Sequence, residues 1–189
     1  MKRVIVFFVC TICSLCIYAK NPFMTIKSGS LDIFNDSICV NIEINDYNPI
    51  IDGENQCAKD YYTAQGQNKY FAFCDDLKRA HESFISYYNI EKGNLKSIVG
   101  KSNEYPYTLQ IEVTLMNVGN AGASLIGLSH KSGGALINGT MKLIDNTTKL
   151  ILCEIEFQGI KGMRAPMFSG RAISVYRYLA DAFLETIKE

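Results

Sequence analysis

The chain has 189 residues, 48% of them hydrophobic, and its 19 basic residues balance 19 acidic ones to a formal net charge of zero. That balance supplies none of the basic excess that a nucleic-acid partner asks for, so none is expected. The length suits one domain with a real core, since a domain of about 150 residues hides roughly two-thirds of its unfolded surface.

The N-terminus runs Met1-Lys2-Arg3, then an unbroken apolar stretch from Val4 to Cys16, then Ile17-Tyr18-Ala19 ahead of the polar Lys20-Asn21-Pro22. Positive, then apolar, then small is the order of a cleavable secretory signal. The apolar run is shorter than the ~20 residues needed to cross a bilayer, and Ala19 offers a signal peptidase its small residue. Cleavage after Ala19 is therefore expected, leaving residues 20–189 as a single globular domain in the periplasm or the medium. Cys10, Cys13 and Cys16 follow Val9, Ile12 and Leu15. None has the small neighbour that a lipidated cysteine needs, so no lipid anchor is expected. Lys, Asp or Glu interrupts every later apolar stretch, which leaves only peripheral membrane contact. Losing Lys2 and Arg3 with the leader puts the mature chain near two negative charges. Four cysteines remain, Cys39, Cys57, Cys74 and Cys153. They are disulfide candidates in an oxidising compartment, and four allow three full pairings.

Residues 20–30 read as a polar lead-in. From Ser37 to Ile44 the pattern alternates, with Ile38, Val40, Ile42 and Ile44 on one face, which predicts a half-buried strand. Residues 45–69, rich in Asn, Asp, Gly and Gln, predict a long, largely irregular connection in which Tyr61 and Tyr62 either serve function or plug the loop onto the core. At Tyr70 the period changes. Phe73, Leu77, Ala80, Phe84 and Tyr87 or Tyr88 fall at helical spacing, predicting an amphipathic helix over about 70–90, with His81 beside Glu82 on the polar side.

A strictly alternating strand follows at 107–115, then a glycine-rich segment from Gly119 to Gly134. Strands at 135–144 and 149–157, joined by the turn Asp145-Asn146-Thr147-Thr148, predict an antiparallel hairpin. Ser169 is placed to cap a closing helix over about 169–188, whose apolar face carries Ile173, Tyr176, Leu179, Ala180, Phe183 and Ile187. The predicted class is α+β: a mainly antiparallel sheet packed with the early and C-terminal helices.

Over about residues 105–188 the order of elements resembles the periplasmic domain of the curli-export channel lipoproteins and related uncharacterised envelope families. The features that carry it are Ser132-Gly133-Gly134, the strand Gly139-Thr140-Met141-Lys142-Leu143-Ile144-Asp145, a polar turn, a strand ending near Glu156 and a last long helix. The resemblance implies an α/β sandwich acting as an envelope assembly or accessory component without catalytic chemistry. The chain departs from those lipoproteins in lacking the lipidation cysteine, and 119–134 is too short and glycine-rich for a membrane-crossing hairpin, so pore formation is not carried over.

Two histidines, His81 and His130, and no closely spaced Cys or His pair leave metal and cofactor binding without a basis. Cys74 or Cys153 with His130 is the residual thiol-hydrolase arrangement, but no catalytic signature surrounds either cysteine, so no catalytic residue is assigned. Gly119-Asn120-Ala121-Gly122 follows a strand, as phosphate loops do, without the Lys-Ser/Thr ending they require. Two features point outward. Leu125, Ile126 and Leu128 sit among small residues as a candidate apolar surface for a partner. Lys161, Arg164 and Arg171 place positive charge near the N-terminus of the last helix, where an anion is favoured. Asn138-Gly139-Thr140 and Asn146-Thr147-Thr148 match the N-glycosylation sequon, and Asp36-Ser37-Ile38 matches the Asp-Ser/Thr-apolar pattern of bacterial O-glycosylation. The expected role is a non-enzymatic exported envelope protein that binds or assembles with an envelope partner. The alternative is a periplasmic anion- or glycan-binding domain using the 45–69 and 159–171 loops.

Overall fold

The computed structural model describes residues 23–119 and 133–188. Among the described residues eight strands form one sheet: β1 (Met24–Gly29), β2 (Cys39–Asn45), β3 (Ile50–Ile51), β4 (Gln56–Cys57), β5 (Ile98–Gly100), β6 (Tyr107–Asn117), β7 (Gly134–Asp145) and β8 (Ile151–Arg164). The helices among the described residues are α1 (Ala58–Ala64), α2 (Gln67–Glu91) and α3 (Phe168–Lys188), with a 3-10 turn at Asp32–Asn35.

The main path of the sheet runs β1-β8-β7-β6-β2-β5. Its pairings correct the expectation of a mainly antiparallel sheet. β1–β8, β8–β7, β7–β6 and β3–β4 are antiparallel, but β2 lies parallel to both β5 and β6, and β3 lies parallel to β6. The physical reason is the connection. α2 carries the chain back along the sheet before β5 and β6 begin, and a helical crossover returns a strand parallel to the one it left.

Four further expectations change. The lead-in contains β1, an edge strand. The connection 45–69 holds β3, β4 and α1 instead of an irregular loop, and Ala58 N donates to Pro49 O at 2.8 Å to fold it back. β8 runs on to Arg164, so Lys161 and Arg164 stand on a strand. The strict alternation predicted for 107–115 also breaks near its end. A register shift between Val113 and Leu115 turns Met116 into the core and leaves Leu115 half-buried, as a bulge reverses the faces beyond it.

α2 and α3 pack together, and α3 covers β7 and β8. They run in the same direction: Phe73 stacks near Phe168 with ring centres 5.3 Å apart, Ser83 Oγ donates to Ile173 O at 3.2 Å, and Tyr87 reaches Asp181 at 3.3 Å. At the far end Phe34, Tyr88 and Phe183 form an aromatic hub in which Phe34 meets both other rings edge-on, 5.3 Å from Phe183. The Tyr88 hydroxyl bonds Ser97 Oγ at 2.7 Å.

Burial pushes the phenols of Tyr88 and Tyr62 up to about 12. A phenol raised on folding contributes stability that is whole below its unfolded value near 10 and is lost as pH climbs through the folded value. Tyr88 alone should therefore cost the domain on the order of 2 kcal/mol between about pH 10 and pH 12. Denaturant titrations across pH 8–12 measure this. A fall between about pH 10 and 12 that is shallower in Tyr88→Phe than in the parent by about that amount assigns this share of the loss to Tyr88.

Candidate functional site

β6 and β7 are joined through residues 118–133, and the fold gathers the basic residues singled out above around the two ends of this connection. Arg171, in the first turn of α3, is only 6% exposed. Its Nε donates to Val118 O at 2.8 Å, and its Nη1 donates to Ala165 O at 2.7 Å and Pro166 O at 3.2 Å. Burial lowers its pKa below the ordinary arginine value. Arg164 is the cross-strand partner of Gly134, and Lys161 of Leu136.

The backbone ends of the connection fit closely against these arginines. Gly119 has φ +71, and a Cβ there would meet Gly134 O at 2.9 Å and Arg171 Cδ at 3.1 Å. Gly133 has φ +123, and its Cβ would meet Arg164 Cγ at 2.9 Å. Glycine is required twice over, by the left-handed backbone and by the space. Leu125, Ile126, Leu128 and His130 lie outside the described residues.

The same end of the domain exposes apolar surface. Met163 is 63% and Met167 72% exposed. A groove of about 490 Å³ continues from Met163 along α3, past Ile173, Ser174, Arg177, Tyr178 and Asp181. Because α2 and α3 run the same way, both present their N-termini here, adding the positive ends of two helix dipoles to the arginines. Tyr62 stacks on Phe73 at 4.6 Å, and Phe73 on Phe168. The tyrosine of the 45–69 connection thus packs against the helices.

Behind this end lies a polar cluster that sequence reasoning missed. Asp46, just past β2, is fully buried, and its Oδ2 is 2.8 Å from His81 Nε2. The Tyr176 hydroxyl donates to the same oxygen. Burial, followed by the neighbouring Asp46, pushes the Tyr176 pKa well above 10, so Tyr176 keeps its proton and remains the donor. The rings of Tyr47 and Tyr176 meet His81 edge-on at 5.8 and 5.5 Å, and Tyr70 donates to Tyr47 O at 3.1 Å. Asp46 Oδ1 is buried with no hydrogen-bond partner among the described residues. His81 is 4% exposed, which corrects its placement on a solvated helix face. The signal was there: 73, 77, 80, 81, 84 and 88 are the buried positions of α2, one continuous stripe at helical spacing.

All four cysteines of the described chain are free. Cys57 donates its thiol to Asp60 Oδ2 at 3.1 Å. Cys153 on β8 and Cys39 on β2 are separated by β7 and β6. At about 4.8 Å per strand that spacing exceeds the Cα reach of a disulfide. Burial raises the pKa of Cys74 and Cys153, which disfavours the thiolate that nucleophilic chemistry needs. Among the described residues no group of three His, Cys, Asp or Glu side chains is placed to hold a metal, and no helix is long and apolar enough to cross a membrane.

No family model matches the chain, and no curated protein matches it. The likeness to the curli-export lipoproteins thus stays at the level of sequence pattern. Among solved structures, a PelC dodecamer from Paraburkholderia phytofirmans is similar at a TM-score of 0.42 and 12% identity, with 84% of this chain and 96% of that chain covered. Protein XCC0632 from Xanthomonas campestris, of family model DUF330, is similar at 0.39 and 11%, with 86% and 88% covered.

Proposed function

We propose that the chain is an exported bacterial envelope protein whose domain binds a partner protein or helps assemble an envelope complex, without turning over a substrate. Export rests on the leader, with its Lys2-Arg3 start, its apolar run and Ala19. The observation that carries the binding role is the exposure of Met163 and Met167 beside the arginine-braced connection. Methionine is soft and adaptable, suited to surfaces that meet a partner. The raised thiols of Cys74 and Cys153 weigh against nucleophilic catalysis. The small-anion alternative loses force at Arg171, whose Nε and Nη1 already serve backbone carbonyls.

The test is site-specific photo-crosslinking in the bacterium that encodes the chain. A photoreactive residue at Met163 or Met167 should give one discrete adduct in the envelope fraction, and the same residue at the exposed Glu54 should give none. The double variant Met163→Ser/Met167→Ser should remain within about 0.5 kcal/mol of the parent in stability and show no capture when probed from Arg177. Equal labelling from all positions would sink the binding role, and an N-terminus other than Lys20 on the envelope protein would sink the cleavage site.

A further inference from the structure

Three sequence patterns for glycan attachment occur in the chain, and the fold treats them differently. Asn138 stands inside β7, and its Oδ1 accepts from Gly159 N at 2.7 Å, next to a shift in the β7–β8 register. Asn146 commits the very nitrogen that N-glycosylation would use: its Nδ2 donates to Tyr105 O at 2.7 Å, while its Oδ1 accepts from the Thr108 hydroxyl at 3.1 Å. A sugar on Asn146 Nδ2 would crowd the Tyr105 carbonyl that this nitrogen serves beside the β7–β8 turn, and one on Asn138 would have to fit within a half-buried position of a strand paired on both sides.

Ser37 is in the opposite situation. It is exposed and forms the apex of a tight turn, in which Ile38 N donates to Asp36 O at 2.9 Å. A bond from residue i+2 back to residue i is the three-residue γ-turn pattern, which thrusts its central side chain outward. The turn is anchored on both sides. Asp36 N donates to Ile33 O at 3.1 Å within the 3-10 turn, and Ile98 N from β5 donates to Ile38 O at 2.9 Å. Asp36 is exposed beside the serine, and Ile38 is half-buried against the core. The hydroxyl and the acid of the motif are therefore both presented to solvent on a braced loop.

We propose that Ser37 is the acceptor of an O-linked glycan, recognised through Asp36 and Ile38. The step is a glycosyl transfer from a polyprenyl-diphosphate-linked oligosaccharide. Ser37 Oγ bonds to the anomeric carbon, and the bond from that carbon to the diphosphate oxygen breaks. The hydroxyl proton passes to a base of the transferase, and the polyprenyl diphosphate leaves with the electron pair. The inference rests on the export part of the proposed function, because such donors are presented outside the cytoplasmic membrane.

The chain is purified from the extracytoplasmic fraction of a bacterium that O-glycosylates Asp-Ser/Thr-apolar sites, then analysed by intact mass and peptide mapping. The expected mass exceeds that of residues 20–189 by a whole number of sugar residues, all on the peptide containing Ser37. Ser37→Ala should remove the increment completely, Asp36→Ala should remove it although the hydroxyl remains, and Ser37→Thr should keep it. Both positions are exposed, so an unchanged unfolding midpoint shows that these losses are not misfolding. A bare mass on a chain that begins at Lys20 overturns the glycan and leaves export intact. A chain retained in the cytoplasm with its leader overturns both. Sugar that persists in Ser37→Ala overturns the assignment to this residue.

Discussion

Asp46→Ala should destabilise the domain by about 3–5 kcal/mol, because two buried donors lose their acceptor at once and each orphaned buried group costs about 1–3 kcal/mol. His81 Nε2 and the Tyr176 hydroxyl both converge on Asp46 Oδ2, with all three side chains almost wholly withdrawn from solvent. The cluster ties the end of β2 to α2 and α3, three elements far apart in the chain. The cost should be asymmetric. Tyr176→Phe removes one donor and leaves the carboxylate with His81, for a loss of about 1.5–3 kcal/mol. The double variant Asp46→Ala/Tyr176→Phe should cost less than the sum of the singles, since removing both partners leaves fewer groups unsatisfied. Urea or guanidinium titrations of the four proteins measure this cycle. An Asp46→Ala protein within 1 kcal/mol of the parent, or strict additivity, would show that the cluster is hydrated and not a buried anchor.

That anchor also shows where sequence reasoning stopped. The stripe of Phe73, Leu77, Ala80, Phe84 and Tyr88 was legible because large apolar side chains mark a 3.6-residue period. His81 lies on the same stripe, but its burial depends on a carboxylate supplied 35 residues earlier from a stretch that reads as loop. Nothing local to either residue encodes that meeting. The β6–β7–β8 meander and α3 were legible for the same reason as α2, through alternation and amphipathic spacing. The parallel β2–β6 pairing was missed, because a helical crossover leaves no turn signal of the kind that marks the hairpins downstream. β3, β4 and α1 were hidden because they are short and polar, and their pairing depends on β6 being in place beside them. At the candidate site, Lys161, Arg164 and Arg171 were singled out by charge and position alone. That Arg171 braces the Val118 carbonyl at one end of the connection, and that Met163 and Met167 stand exposed beside it, depends on how far β8 extends before α3 begins.

Gly162→Ala should have the second large effect, through space and not through backbone conformation. Gly162 lies on β8 directly beneath α3. A Cβ there would stand 2.6 Å from Val175 N, with Arg171 O and Val175 Cα both at 3.0 Å. All three atoms belong to the helix backbone, so no side chain can rotate away, and α3 as a whole must move off the sheet. Overpacking of this kind costs about 3 kcal/mol. The displacement should also loosen the hydrogen bond from Met163 N to Ser174 Oγ and the Arg171 clamp on Val118, both of which lie within a turn or two of the clash. Gly93→Ala is the contrasting case: φ is +62 there, and no atom lies within 4 Å of the new Cβ. Its cost should be only the left-handed backbone penalty of about 1–2 kcal/mol. Denaturation midpoints for both variants, with amide exchange at Val118 and Met163, separate the two mechanisms. Gly162→Ala should lower the midpoint further and raise exchange at the hairpin end, whereas Gly93→Ala should leave that end protected. Because Met163 is tied to Ser174 of α3 and the arginine clamp comes from Arg171 of the same helix, Gly162→Ala should also weaken the crosslink from Met163 while the chain stays folded. Crosslinking at parent strength despite a displaced α3 would separate partner binding from the geometry of this end.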